Sequence, residues 1–206
     1  MAKTNAEATF RAKAPFIMSK LLGDFSIGPE DAAAIVGNLG HECGGFTQLQ
    51  ELKPVVAGSR GGYGWAQWTG PRRRSYEAYC KRTGKDPASD EANYAYLWIE
   101  LKGIEGSEGQ AIAKTVAAKG LDAKVEAFEK AFLRAGVKHY PSRKKYAGIA
   151  LAAWQIAGKP VVKPTQTATG KEPEPIKPKV PISVAVLALA LLVGAFLFFT
   201  LPIFPR

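Results

Sequence analysis

Residues 182–201 (ISVAVLALALLVGAFLFFTL) run for twenty positions without a charge, and this limits where a folded domain can lie. Twenty apolar residues as a helix span about 30 Å, the thickness of a bilayer's hydrocarbon core. A core helix of a globular domain normally keeps a polar face, and this stretch has none. Ahead of it, residues 159–181 hold Pro160, Pro164, Pro173, Pro175, Pro178 and Pro181 among Lys and Glu. Such a composition stays extended and semi-rigid. The pattern predicts a single-pass C-terminal helix in a lipid bilayer, a Pro/Lys-rich linker over 159–181, a short tail at 202–206, and one folded domain in residues 1–158. That length suits a single domain.

The remainder reads as mainly α. Apolar residues between Asn5 and Gly158 recur at helical spacing, broken by Gly, Pro and small polar residues. The expected helices are 5–22, 29–41, 71–83, 90–102, 107–118, 121–135 and 143–157. Pro29 suits a first turn, with Glu30 and Asp31 beside its positive end. Ala32, Ile35, Val36 and Leu39 form that helix's apolar stripe. In the sixth helix Val125, Phe128, Phe132 and Leu133 share a face, and Lys124, Glu126, Lys130 and Arg134 are expected to be wet. No solenoid repeat, P-loop, dinucleotide fingerprint or metal-ligand spacing occurs, so no cofactor and no metal are expected. His41 and His139 read as structural. Cys43 and Cys80 are too few for a disulfide framework and are expected as free, buried thiols.

The net charge is +10, of which +6 precedes residue 159. A basic surface suits an anionic polymer without choosing one. The Arg72, Arg73, Arg74 run reads as a helix-start surface rather than as a nucleic-acid reader, and no specific nucleic acid is expected. No apolar run of signal-peptide length opens the chain, so no secretory leader is expected.

Two stretches do not reduce to core and surface. In GNLGHECGGF, Glu42 falls where Gly44 and Gly45 end an amphipathic helix, near the negative end of the helix dipole. If Phe46, Trp65 or Trp68 also exclude water there, the protonated carboxyl is favoured, as a general acid for glycosidic cleavage requires. In GGYGWAQWTG, glycines surround Tyr63, Trp65, Gln67 and Trp68, a composition for a tight turn or short hairpin. Aromatic faces stack on sugar rings, and an amide such as Gln67 can pair with N-acetyl groups.

Together the two stretches resemble the phage tail lysozyme family, whose pattern couples a catalytic Glu to a Gly-Tyr-Gly-Leu-Ala-Gln-Trp-Thr segment. They are also similar to the wider lysozyme and lytic transglycosylase superfamily. The likeness extends over roughly residues 12–155, taking in residues 94–101 (YAYLWIEL), 128–135 and 143–147. It implies a lysozyme-like helical fold and cleavage of the bond between N-acetylmuramic acid and N-acetylglucosamine in peptidoglycan. Glu42 would be the acid/base, with Tyr63, Gly64, Trp65, Gln67, Trp68 and Thr69 along the saccharide groove. Two positions depart from the pattern: Cys43 stands where the family usually has Ser, and Trp65 where Leu is more frequent.

A second carboxylate is less obvious. Inverting and retaining hydrolases both need one, whereas a transglycosylase uses the substrate's own hydroxyl. Glu51 is the local candidate; its alternative is an acidic loop residue paired with Lys53 or Arg60. The five residues after the apolar run predict a tail anchor whose main domain begins on the cytoplasmic side, opposite its substrate. A virion-associated protein, carried with other virion proteins and acting as the genome enters the cell, resolves that conflict. A lysis-stage endolysin, a wall-binding virion protein without turnover and a holin-like protein are the alternatives.

Overall fold

The computed structural model describes residues 2–54 and 56–160. The chain divides into two units, Met1–Thr165 and Gln166–Arg206, and the described residues belong to the first. Seven α-helices follow one another: α1 (Ala2–Asp24), α2 (Pro29–Glu42), α3 (Gly70–Thr83), α4 (Asp90–Leu101), α5 (Ala111–Ala117), α6 (Leu121–Phe128) and α7 (Tyr140–Ile156). A π-helical turn, Glu129–Leu133, continues α6. Among the described residues no helix is long and apolar enough to cross a membrane; the anchor expected over 182–201 lies outside them.

Helix α2 is the centre of the domain and packs against α7, α6 and α1. Its N-terminus forms as the sequence suggests, with Pro29 in the first turn and the Asp31 carboxylate accepting from Gly28 N–H at 2.8 Å. Every residue from Asp31 to Gly40 is buried, not only the expected stripe. Glycine spacing makes this possible. A Cβ on Gly37 would stand 2.4 Å from the Ala147 nitrogen, and one on Gly40 would stand 2.2 Å from the Phe10 ring. Bare backbone thus brings α7 and α1 against the C-terminal half of α2, just ahead of Glu42.

Several expected features shift. Lys124, predicted to be wet, is largely covered and meets the buried Asp31 at 2.5 Å, tying α6 to the start of α2. The predicted helix 121–135 is α6 plus the π turn, and 107–118 shortens to α5. A π turn widens the helix by one residue per turn and is common near functional sites. Arg72 and Arg73, expected on the surface, are mostly or wholly buried, and only Arg74 of that run stays exposed. Cys43 and Cys80 are free and buried as expected, and burial pushes the Cys43 thiol up to about 12. Folded structure also runs slightly past residue 158, since Ser19 donates to the Pro160 carbonyl.

Candidate active site

The 50–70 segment is a compact fold-back rather than a sheet. Antiparallel bridges pair Gln50 with Tyr63 and Tyr63 with Trp68. Glu51 N–H donates to the Gly62 carbonyl at 2.9 Å. Arg73 holds the turn from beneath: its guanidinium donates to the carbonyls of Arg60 (2.6 Å) and Gly61 (3.0 Å) and to Gln50 Oε1 (3.1 Å). Gly64, at φ 78°, lies where a Cβ would strike the Trp68 ring, so the aromatic packing requires glycine.

This fold-back places its two tryptophans inward. Trp65 and Trp68 are each 1 % exposed and belong to the core. Trp68 Nε1 donates to Glu100 Oε2 at 2.7 Å, while Trp65 Nε1 is buried without a partner among the described residues. The Leu more frequent at that position carries no N–H to strand. Neither ring is a sugar-stacking surface; they underpin the segment instead. Tyr63 is half-buried against Tyr76 and the Arg73 guanidinium.

A cleft of about 450 Å³ opens above this packing. It is lined by Glu42, Glu51, Gln67 and Thr69 of the predicted set, together with Arg72 and residues 133–136. The structure thus brings together the two carboxylates and the polar members of the fold-back, and leaves Tyr63, Gly64, Trp65 and Trp68 in supporting positions. Gln67 sits at φ 47°, uncommon for a non-glycine residue and frequent at functional sites. Its amide nitrogen donates to the carbonyls of Leu49 and Gly64, both at 2.9 Å, which commits the amide hydrogens and leaves Oε1, beside Gly62, as its remaining acceptor.

The side chain that bonds Glu42 is a charged one. Arg143, 1 % exposed, donates from Nη2 to Glu42 Oε1 at 2.6 Å. The same guanidinium is fixed by the Lys138 carbonyl (2.6 Å) and by Asn38 Oδ1 (3.3 Å). Asn38 is itself fixed, donating to the carbonyls of Ala34 and Val125. Glu42 is therefore anchored through one oxygen, and Oε2 has no partner among the described residues. Glu51 is held differently: Gly62 N–H donates to its Oε2 at 2.7 Å. Neither Lys53 nor Arg60 pairs with it, because Arg60 forms a two-pronged pair with Glu77.

The part of the cleft formed by Arg72 and residues 133–136 rests on buried charge. Arg72 grips the buried Glu100 with two bonds of 2.8 Å and donates to the Phe132 carbonyl. Arg134 pairs with the buried Glu108. Burial pushes the Glu108 carboxyl up, but Arg134 and Arg72 outweigh it and leave the group below its ordinary value. Sequence reading missed Arg143, Arg72, Arg73, Glu100 and Glu108 as organisers. Only Glu100 carried a sequence signal, as a charge on the otherwise apolar face of YAYLWIEL. A second, more open hollow of about 700 Å³ lies by the α1–α2 turn, where Asp24 and Asp31 are already bonded to Tyr94 and Lys124.

His41 flanks the site, bonded through Nδ1 to Ser142 Oγ at 2.9 Å and lying 5.3 Å from the His139 ring. Burial, then the Arg143 and His139 charges, push its pKa down from 6.5 to about 4. The folded protein holds His41 neutral where the unfolded chain takes up a proton. Stability is therefore expected to fall as pH drops from about 6.5 to about 4. Melting temperatures across that window should show the slope, and His41→Gln should flatten it.

A model of the phage tail lysozyme family matches residues 13–153, and the chain belongs to that family. Membership makes it a muralytic phage protein in general terms, with peptidoglycan as the substrate of its class. No curated protein and no solved structure matches the chain.

Proposed function

We propose that the protein is a peptidoglycan glycosidase that hydrolyses the bond between N-acetylmuramic acid and N-acetylglucosamine, with Glu42 as general acid and Glu51 as the base that activates water. The observation that carries this reading is the presence of both carboxylates in one cleft, each fixed through one oxygen. Glu42 delivers its proton to the leaving glycosidic oxygen as the bond to the anomeric carbon breaks. Glu51 takes a proton from the water whose oxygen attacks that carbon from the other side. Gln67 Oε1 accepts from an acetamido N–H, and Thr69 lines the same stretch of sugar. The buried Trp65 and Trp68 hold the segment in place rather than touching the glycan.

Mass spectrometry of muropeptides released from purified peptidoglycan by the full chain tests the reaction. Reducing-end products support hydrolysis, and anhydro products would replace it with transglycosylation. Glu51→Gln should lower the rate of reducing-end release about a hundredfold, in the range for removing a general base. An unchanged rate would remove Glu51 from the mechanism. Absence of any product from folded protein would favour a wall-binding virion protein.

We further propose that residues 182–201 anchor the protein in a bilayer and that it travels with the virion to open the wall during infection. The uncharged twenty-residue run supports the anchor, and the family supports carriage with the virion. Carbonate extraction of membranes from producing cells should leave the chain in the pellet. Placement of the domain in the periplasm of those cells, without other phage proteins, would overturn delivery by the virion.

A further inference from the structure

We propose that Glu129 is a positioning residue for Glu42, acting through the 134–140 loop and Arg143. The inference rests on the assignment of Glu42 as the catalytic acid. Glu129 opens the π turn and is wholly buried, an environment in which a carboxylate persists only with full satisfaction. All its partners lie on one short segment. Oε1 accepts from Ala135 N–H at 2.8 Å and from Lys138 Nζ at 3.1 Å, and Oε2 accepts from the Tyr140 hydroxyl at 3.1 Å.

That segment does two things at the site. Ala135 and Gly136 form part of the cleft wall. Lys138 turns its carbonyl to the Arg143 Nε–H at 2.6 Å, and Arg143 holds Glu42. The loop begins and ends on residues in the left-handed region, Arg134 at φ 54° and His139 at φ 48°, a conformation that costs free energy for non-glycine residues and persists where surroundings enforce it. The three bonds that Glu129 accepts supply that enforcement at both ends of the loop. Without them the Lys138 carbonyl is released, the guanidinium loses one of its three acceptors, and Glu42 loses its fixed orientation.

Glu129→Gln in the full chain tests the relay, with Tyr140→Phe and Lys138→Gln as milder variants on partly exposed side chains. Misplacement of a reacting group by about an ångström costs on the order of a hundredfold in rate. Glu129→Gln should therefore lower kcat about ten- to a hundredfold with KM within about twofold, and each milder variant should lower kcat less. In combination with Arg143→Lys the losses should fall short of additive, as for two residues of one chain of contacts. The Arg143 Nε–H NMR signal should exchange slowly in the parent and rapidly in Glu129→Gln. An unchanged signal or fully additive losses would overturn the relay. If the parent releases no product, the glycosidase assignment fails, and the NMR signal still decides whether Glu129 orders Arg143.

Discussion

Replacing Glu42 by Gln is expected to lower muropeptide release about a thousandfold while leaving the domain folded and able to bind peptidoglycan. Gln matches the shape of Glu, and its carbonyl oxygen can still accept from the Arg143 guanidinium that now meets Glu42 Oε1 at 2.6 Å. What is lost is the transferable proton, and removing a general acid–base group costs 10²- to 10⁴-fold. Glu42 lies at the end of a helix buried along ten consecutive residues, so its backbone position does not depend on its own side chain. Sedimentation with peptidoglycan should therefore retain the variant. Circular dichroism should show the parent's helix content. Turnover within tenfold of the parent would show that the proton comes from elsewhere, and Glu51 would be the first residue to test in its place.

The extent to which this site could be read from sequence follows the range of the interactions involved. Helix α2, its Pro29 start, its Ala32, Ile35, Val36 and Leu39 core positions and its end at Glu42 all follow from local spacing and chain-end chemistry. The fold-back around Tyr63 follows from glycine density. The environment of Glu42 does not, because Arg143 lies 101 positions away and only the packing of α7 on α2 brings it in. The same holds for Trp68, which reads as a sugar platform by composition but finds its partner at Glu100, 32 positions on. Lys124 reads as solvent-facing by helical periodicity, and its partner Asp31 is 93 positions distant. Local pattern locates elements and candidate chemistry; the charge partners that orient that chemistry are set by tertiary contacts.

Removing Arg143 should be the most damaging single change to the folded state. Its guanidinium is 1 % exposed and serves Glu42, Asn38 and the Lys138 carbonyl, which belong to α2 and to the loop before α7. Arg143→Met keeps much of the apolar stem but leaves a carboxylate, an amide oxygen and a carbonyl without their donor. Breaking a buried ion pair from one side costs about 3–5 kcal/mol. For a domain of this size that corresponds to a fall in Tm of about 10 °C or more. Arg143→Lys retains the charge but not the planar fork that reaches three acceptors, so it should recover part of the stability and little of the rate. This split between the two variants separates the two roles of the residue. Charge compensation for a half-buried carboxylate is met by any cation, whereas orientation of Glu42 Oε2 toward the glycosidic oxygen needs the guanidinium geometry. Differential scanning calorimetry and muropeptide release on the same samples would measure both. A Lys variant with the parent's kcat would reduce Arg143 to a counter-charge, and a Met variant with the parent's Tm would show that water entering from the cleft replaces the lost donors.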